Sequence, residues 1–198
     1  MADIHLKCDH CNGQRFKDDI LAVEYRGKNI FNILEMTVAE ALEFFAETQG
    51  PEKYRGLHQK IVNKIQPLAD VGLGYIGLGQ ASSTLSGGEA QRIKLASYLS
   101  KGNQATNTLF VFDEPTTGLH FHDIRKLLDA FNALVRNGNT LIVIEHNMEI
   151  IKSADWIIDL GPEGGNGGGE IIFEGLPEDL INDKNSITGA YLKSKFIN

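Results

Sequence analysis

Two runs of consecutive apolar residues constrain the fold of this chain more than any other feature. Residues 109–112 (LFVF) and 141–144 (LIVI) show no polar alternation, a pattern typical of parallel strands that are covered on both faces. The residues between them, 124–135, repeat apolar side chains at helical spacing and are followed by the stop signal Asn137-Gly138. The order strand, helix, strand predicts a parallel crossover unit, so we expect an α/β fold in the second half.

The first half is expected to be mostly helical. Thr37 and Ser86 each precede a helical pattern and have a glutamate three residues later, Glu40 and Glu89, which is the signature of a capping box at a helix start. A further helix is expected over about residues 54–68.

Shorter elements are expected elsewhere in the chain. Strands are predicted at residues 20–25, 156–160 and 170–174, a turn at 26–29, and short helical segments at the end of the sequence. Gly102 is placed to end the helix that begins at Ser86. We therefore expect two domains, a helical one over residues 1–105 and an α/β lobe over residues 106–198.

Composition narrows the function classes. The net charge of −7 argues by itself against a nucleic-acid partner, because binding a polyanion requires clustered lysine and arginine. That acidity lies mostly in the second half, however, and the first third is close to neutral. No apolar run approaches the roughly 20 residues that span a bilayer, and no signal peptide follows Met1. These features predict a cytoplasmic protein with no membrane partner.

The cysteines indicate a metal site. Cys8 and Cys11 lie within four residues of each other, a spacing that suits a metal knuckle better than a disulfide. A structural zinc site needs four ligands, so His5, His10 or a second chain would have to complete the shell. We expect a half-site that holds Zn²⁺ weakly.

The segment that follows Leu85 predicts an anion site at a helix start. Ser86, Gly87 and Gly88 precede Glu89 there; the free amides and the dipole of a helix start favour a phosphate, and glycines let it approach the backbone. A single segment of this kind is more often only a capped helix.

A second candidate site follows the first apolar run. Asp113 and Glu114 come directly after the predicted strand, at the carboxyl end where open α/β sheets bind ligands. One carboxylate can hold the water shell of Mg²⁺ while its neighbour orients a water for attack on phosphorus. His146 follows the next strand, within reach of a γ-phosphate. The ordinary alternatives are an acidic turn at a strand end and a histidine satisfied in the core.

Taken together, these segments resemble the ABC ATPase family, whose signature motif, Walker B strand with its D-loop, and switch histidine occur in this order. The residues that the resemblance assigns to ATP binding are Ser86, Gly87, Gly88, Gln91, Asp113, Gly118 and His120. In that family the signature contacts a γ-phosphate held by an opposing ATPase domain. The resemblance therefore implies two half-sites that act on different nucleotides.

The same resemblance implies a catalytic role for two residues and a metal role for a third. Glu114 would polarise the attacking water and His146 would sense the γ-phosphate. Asp113 would support Mg²⁺ through water. The fold that it implies is part of an ABC nucleotide-binding domain, with a parallel-sheet lobe and a mostly helical signature subdomain.

Further segments narrow the resemblance to the UvrA family, the damage-recognition ATPases of the bacterial excinuclease. They are Cys8-x-x-Cys11, Met36-Thr37-Val38, Val71-Gly72-Leu73-Gly74-Tyr75, Gly118-Leu119-His120, residues 154–165 (ADWIIDLGPEGG) and Thr188-Gly189-x-Tyr191-Leu192. The likeness covers nearly the whole chain and implies the second ATPase module of a DNA-repair protein. It implies ATP, Mg²⁺ and Zn²⁺ as cofactors. The partners it implies are damaged double-stranded DNA, the helicase-like excinuclease protein UvrB and a second copy of the complete ATPase.

Two departures from the family pattern lie on the N-terminal side. No Gly-x-x-x-x-Gly-Lys-[Ser/Thr] loop is present, because Gly27-Lys28-Asn29 lacks both the preceding glycine and the hydroxyl. Only one of the two cysteine pairs of the zinc module is present. We expect Met1 to be an internal start in a longer protein. We also expect this chain alone to fold, to be silent as an ATPase and to self-associate through exposed sheet edge.

Other interpretations stay open. The ATPase component of an ABC transporter shares the signature and Walker B, although the cysteine pair and residues 155–165 argue against it. A non-catalytic interaction module would keep the shape without a phosphate loop. A dinucleotide site is dismissed: residues 72–77 (GLGYIG) match G-x-G-x-x-G, but they follow a helical stretch rather than a strand.

Overall fold

The chain folds into two compact units, Met1–Ser100 and Lys101–Asn198. The computed structural model describes residues 8, 11–46, 54–100, 107–163 and 165–196. The first unit is helical and the second combines helices with two small sheets, so the expected α/β fold class is confirmed. Within the described ranges, every helix is too short or too polar to cross a membrane.

The first unit begins with short helices and ends with longer ones. Its described elements are α1 (Asp18–Leu21), α2 (Ile30–Glu35), α3 (Val38–Ala46), α4 (Arg55–Asp70), a 3₁₀ turn (Ser82–Thr84) and α5 (Gly87–Ser100). The helices predicted after Thr37, over residues 54–68 and after Ser86 are therefore confirmed. Gly102, the predicted stop of α5, lies outside the described residues.

The strand predicted at residues 20–25 is wrong. The chain forms the short helix α1 instead, with Asp18 and Asp19 in its first turn, where negative charge favours the helix dipole. The predicted turn at 26–29 is confirmed, because Tyr25 and Lys28 exchange backbone hydrogen bonds of 2.8 and 3.1 Å across it. A strand needs a partner ladder, and this bridge supplies only one pair.

Helix α3 anchors the turn that connects α4 to α5. Its side chains Val38 and Ala41 are fully buried together with Leu73 of that turn. The backbone N–H of Val38 donates to the carbonyl of Ile76 at 2.8 Å. The start of α3 and the turn therefore hold each other in place ahead of α5.

The second unit alternates strands and helices before it ends in a hairpin and two helices. Its described elements are β1 (Leu109–Asp113), α6 (Phe121–Arg136), β2 (Thr140–Ile144), α7 (Met148–Lys152), β3 (Ile157–Gly161), a 3₁₀ turn (Gly165–Gly167), β4 (Glu170–Gly175), α8 (Pro177–Leu180) and α9 (Ile187–Phe196). All four strands predicted in this half are confirmed, to within one residue at their ends.

Strands β1 and β2 are parallel, in a register that pairs Asp113 with Ile144 at their carboxyl ends. One face of the pair packs against α6, where the rings of Phe112 and Phe131 lie 5.0 Å apart. Buried Ile124, Leu127 and Leu134 complete the apolar face of this helix. The residues that follow Asp113 and Ile144 therefore lie side by side at the carboxyl end of the sheet.

The other face of this sheet is not covered as predicted. The side chains of Leu109 and Val111 on β1 are 58% and 60% exposed, and those of Ile142 and Ile144 on β2 are each 50% exposed. The continuous apolar runs predicted cover on both faces. A single helix, α6, can bury only one side of a two-stranded sheet, which explains the difference.

A network of hydroxyl groups ties the β3–β4 hairpin to the last helix. Asp159 on β3 accepts hydrogen bonds from the hydroxyls of Ser186 (2.6 Å) and Thr188 (3.1 Å) at the start of α9. The Ser186 oxygen also accepts from the N–H of Gly189 at 2.8 Å. A Cβ at Gly189 would clash with the carbonyl oxygen of Leu180. Only glycine therefore allows α9 to approach the end of α8 this closely.

Candidate functional site

The start of α5 is held by a complete capping box. The backbone N–H of Ser86 donates to Glu89 Oε2 at 2.8 Å, and the N–H of Glu89 donates back to Ser86 Oγ at 3.3 Å. Ser86 and Gly87 are exposed, whereas Gly88 is buried and Gln91 is half-buried on the same helix. The exposed helix start therefore offers backbone N–H groups and the positive end of the helix dipole to an anion. Gly87 has no side chain that would cover them.

A tyrosine from the preceding turn strengthens this capping box. The hydroxyl of Tyr75 donates to Glu89 Oε1 at 2.7 Å, and buried Arg92 approaches the same hydroxyl at 3.4 Å. The backbone N–H of Ser86 and then the Tyr75 hydroxyl hold the pKa of Glu89 below its usual value. Partial burial, followed by the hydrogen bond to Glu89, raises the pKa of Tyr75. The pair is therefore arranged for an ionised Glu89 and a neutral Tyr75.

The turn after β1 begins with a strained residue. Glu114 has a φ of +46°, in the left-handed region that residues other than glycine adopt infrequently. Its N–H donates to the carbonyl of Ile144 at 2.9 Å, and its carbonyl accepts from the N–H of Thr117 at 3.1 Å. Residues in sparsely populated regions cost roughly 1–3 kcal/mol and persist where the surroundings impose them. The conformation of this turn thus depends on contacts from β2.

The structure brings the predicted strand-end carboxylate and histidine together. Glu114 Oε1 lies 3.8 Å from His146 Nε2, and Asp113 is exposed beside them at the end of β1. The side chains of His146 and Glu114 are 84% and 56% exposed. An exposed pair of this kind contributes about 0–1 kcal/mol. Their mutual attraction is therefore too weak to hold the two loops in place.

A second glutamate connects the two loops. Glu145 Oε1 accepts the N–H of Thr116, in the loop after β1, at 2.8 Å. Its Oε2 accepts the N–H groups of His146 (3.1 Å) and Asn147 (3.2 Å), in the loop after β2. Hydrogen bonds to an ionised group are about twice as strong as neutral ones. One carboxylate thus joins the segments that carry Glu114 and His146.

The loop that continues from Thr116 reaches α6 through a tight turn. Gly118 has a φ of +76°, which glycine adopts without strain, and the N–H of Leu119 donates to the carbonyl of Thr116 at 2.9 Å. His120 is exposed immediately before α6, with its ring stacked 5.6 Å from that of His122. The predicted D-loop residues therefore lie on the surface of the second unit.

The predicted zinc ligands lie near the start of the chain. Neither Cys8 nor Cys11 forms a disulfide; Cys8 is exposed and Cys11 is half-buried. His5 and His10 lie outside the described residues. Among the residues that are described, no three histidine, cysteine, aspartate or glutamate side chains cluster as a metal site would. Two thiolates alone do not complete a structural zinc site.

Comparison with known proteins shows which proteins the chain is similar to. No protein-family model matches the chain. The UvrABC system protein A of Agrobacterium fabrum (strain C58) is 52% identical over 193 residues, which make up 98% of this chain and 19% of that protein. The chain is homologous to one segment of UvrA. The UvrA of Vibrio vulnificus (strain YJ016) is 54% identical, also over 193 residues, with the same coverage of both chains.

The likeness to UvrA extends to the fold. The crystal structure of UvrA2 from Deinococcus radiodurans superposes with a TM-score of 0.75 at 41% identity, covering 94% of this chain and 22% of that one. The resemblance to the UvrA family is thereby confirmed. The chain spans 19% of the length of the curated UvrA proteins named above. The individual roles of the predicted site residues stay predictions.

Sequence reasoning missed two residues of this UvrA-like chain. Glu145 stands out in the sequence only as the neighbour of His146, and Tyr75 only as part of a glycine-rich turn. Their partners Thr116 and Glu89 lie 29 and 14 residues away, and no helical or strand periodicity connects positions at those separations. The only available signal was the location of Glu145 at the end of a predicted strand.

Proposed function

We propose that this chain supplies one signature helix and one Walker B strand of a UvrA-type ABC ATPase that acts in DNA repair. The observation that carries the proposal is the meeting of Glu114 and His146, 3.8 Å apart, at the carboxyl ends of two parallel strands. Open α/β sheets bind ligands at this edge. Homology to UvrA along 98% of the chain supports the assignment.

The chemistry is hydrolysis of the γ-phosphate of ATP. Asp113, exposed at the end of β1, offers the hard oxygen donor that Mg²⁺ prefers and would hold the ion through its water shell. The ion, when bound, would neutralise charge on the phosphates. Glu114 would orient the attacking water, and His146 would contact the γ-phosphate. Both side chains are exposed and can therefore be reached by ligands from solvent.

The first unit would act on a different nucleotide. Ser86, Gly87 and Gly88 at the start of α5, with Gln91 one turn later, would face the γ-phosphate of an ATP held by an opposing ATPase domain. Gly118 and His120 would contribute from the D-loop. The capping box occupies the N–H groups of Ser86 and Glu89, so those of Gly87 and Gly88 would receive the phosphate.

The 198 residues by themselves are proposed to be inactive. Their sequence contains no Gly-x-x-x-x-Gly-Lys-[Ser/Thr] loop, the element that cradles the β-phosphate. One exposed helix start contributes about 0.3–1 kcal/mol to anion binding, whereas micromolar affinity requires roughly 8 kcal/mol. The remaining binding energy would come from other parts of a UvrA-length polypeptide.

The partners follow from the same proposal. A UvrA-type ATPase would bind damaged double-stranded DNA and the excinuclease protein UvrB, as a homodimer of the complete polypeptide in the cytoplasm. Zn²⁺ would be held by Cys8 and Cys11 only with further ligands from outside the described residues. The excess of acidic residues, with a net charge of −7, makes a DNA contact through the second unit unfavourable.

The proposal is tested in a UvrA-length polypeptide that carries these 198 residues. Glu114→Gln should lower kcat for ATP hydrolysis by about a hundredfold, the scale of acid–base groups, while the protein still binds ATP. Asp113→Asn should instead weaken Mg-ATP binding, and Glu170→Gln, at an exposed position on β4, is the matched control. Phosphate release assays and calorimetric titration supply the two readouts.

The isolated 198-residue chain serves as a further arm of that experiment. It should show no steady phosphate release and no binding of Mg-ATP at or below micromolar concentration. Unchanged turnover in Glu114→Gln would remove this residue from the mechanism. Micromolar binding of Mg-ATP by the isolated chain would contradict the proposal that these 198 residues lack part of the nucleotide site.

A further inference from the structure

We propose that Glu145 is a positioning residue that fixes the separation of Glu114 and His146 by joining the two loops that carry them. The inference rests on the proposed function, because it concerns the geometry of the same hydrolytic site. Its physical basis is the set of three backbone N–H groups that converge on one carboxylate, at 2.8, 3.1 and 3.2 Å.

The two oxygens of Glu145 divide their partners between the loops. Oε1 binds the N–H of Thr116, two residues after Glu114, and Oε2 binds the N–H groups of His146 and Asn147. All three donors are backbone N–H groups, so these bonds fix main-chain positions directly. The distance between the two loops is therefore set by the width of one carboxylate group.

The Glu114–His146 pair itself adds little to holding the two loops together. Glu114 and His146 are exposed, and a pair of exposed side chains attracts only weakly. The positive φ of Glu114 favours relaxation of the turn toward an ordinary conformation. A backbone bond also crosses between the loops near this point, from the N–H of Glu114 to the carbonyl of Ile144. It extends the β1–β2 ladder and ends before Thr116, whose N–H is bound by Glu145.

A purely local role for Glu145 does not account for the geometry. Helix α7 already has a cap, because Asn147 Oδ1 accepts the N–H of Glu149 at 3.0 Å. A residue that served only the start of α7 would have no reason to bind Thr116, 29 residues earlier in the chain. The bond to Thr116 is the contact that makes Glu145 a connection between loops.

The first test uses backbone amide exchange, read by NMR on the 198-residue chain. In Glu145→Ala both acceptor oxygens are lost, whereas Glu145→Gln keeps one acceptor oxygen and replaces the other by an NH₂ donor. In Glu145→Ala, exchange at Thr116, His146 and Asn147 should accelerate by about tenfold to a hundredfold, the range expected for losing a hydrogen bond to a charged group; in Glu145→Gln, the amides on one side of the bridge should accelerate. The amides of Ile150 and Ile151 in α7 should be unaffected.

The matched control is Glu149→Gln. It removes a carboxylate in the same stretch of chain, but one that pairs with Lys195 at 3.1 Å rather than with the loops. This variant should leave the exchange of the Thr116 amide unchanged. Unchanged exchange at Thr116 in Glu145→Ala would contradict the proposal, and acceleration across all of α7 would reduce Glu145 to a helix-stabilising residue.

The second test measures ATP hydrolysis in a UvrA-length polypeptide. A residue that only positions the hydrolytic groups should lower kcat by about 10–100-fold when replaced, as outer-shell residues do, with KM for ATP within about twofold of the wild type. Glu149→Gln should change neither value. An increase in KM with kcat unchanged, or no change in either, would overturn the positioning role.

The two tests separate the failure of this inference from that of the proposed function. If the wild-type polypeptide does not hydrolyse ATP, the proposed function fails. The exchange of the Thr116 amide then still decides whether Glu145 joins the loops. If the wild type hydrolyses ATP and both Glu145 variants match it, the proposed function stands and the role of Glu145 is wrong.

Discussion

Helix α5 in Met1–Ser100 and the loops of Lys101–Asn198 are both held by carboxylates, but the carboxylates come from very different distances along the chain. Glu89 lies three residues from Ser86. Glu145 lies 29 residues from Thr116, and Asp159 lies 27 residues from Ser186. The first arrangement forms whenever the helix forms, whereas the other two require the second unit to be folded.

The two arrangements differ in how much of the molecule depends on each carboxylate. A local capping box adds about 1 kcal/mol and its loss leaves the rest of the helix intact. A remote carboxylate organises two segments at once, so its loss frees both. We therefore expect substitutions in the second unit to have larger effects than equivalent ones in the first.

The largest effect is expected at the start of α9. Gly189→Ala would force the new Cβ against the carbonyl oxygen of Leu180, and a backbone atom cannot swing aside as a side chain does. Overpacking of this kind costs about 1–3 kcal/mol and more when backbone must move, so we expect at least about 3 kcal/mol. Urea unfolding of the 198-residue chain measures this loss in the free energy of unfolding.

The matched control places the same substitution at the start of α5. A Cβ at Gly87 would meet no atom within 4 Å, and alanine favours the helix by roughly 0.5–1 kcal/mol. Gly87→Ala should therefore leave the free energy of unfolding unchanged or slightly raised. If Gly87→Ala and Gly189→Ala lowered the free energy of unfolding equally, the expected difference in tolerance between the two units would be wrong.

A smaller effect is expected from the carboxylate that organises α9. Asp159→Ala removes the acceptor of the Ser186 and Thr188 hydroxyls. Hydrogen bonds to a charged group contribute about 1.5–3 kcal/mol, so the free energy of unfolding should fall by about 2 kcal/mol. Asp155→Ala, at an exposed position just before β3, changes the charge equally and should cost under about 0.5 kcal/mol.

The smallest effect is expected from the local carboxylate, and it depends on pH. The pKa of Glu89 is held below its usual value of 4.5, first by the Ser86 N–H and then by the Tyr75 hydroxyl. Its stabilising contribution is therefore complete above pH 4.5 and disappears as the pH falls through the lowered value. Wild type and Glu89→Gln should differ most at neutral pH and converge in acid.

Chemical denaturation at a series of pH values measures that convergence. Glu43→Gln, at an exposed position on α3, is the control. It should show no comparable pH-dependent difference from the wild type. A difference for Glu89→Gln that grows on acidification would have the opposite sign to that required by a lowered pKa.

The same contrast explains how much of the structure the sequence could predict. The capping boxes at Thr37 and Ser86 were predictable because each contains both partners within four residues. The meeting of Glu114 and His146 followed from the rule that parallel strands end at one edge. The bond from Thr116 to Glu145 was not predictable, because it depends on the path of each loop after its strand ends.

Two errors have related causes. The apolar runs of β1 and β2 show that these strands can be buried on both faces, but they do not say whether a second layer is present to bury them. The apolar stretch 20–25 has strand-like composition but no partner ladder, and two aspartates at its start favour the helix α1 instead. In both cases the outcome depends on what surrounds the segment.

The half-exposed face of the β1–β2 sheet has a thermal consequence. Leu109, Val111, Ile142 and Ile144 are already in partial contact with water in the folded chain, so unfolding hydrates less new apolar surface around this sheet than it would around one covered on both sides. The heat-capacity increment of unfolding follows that newly hydrated area, at about 0.45 cal/mol/K per Å². The free energy of unfolding of the second unit should therefore change only gradually with temperature and fall little on cooling.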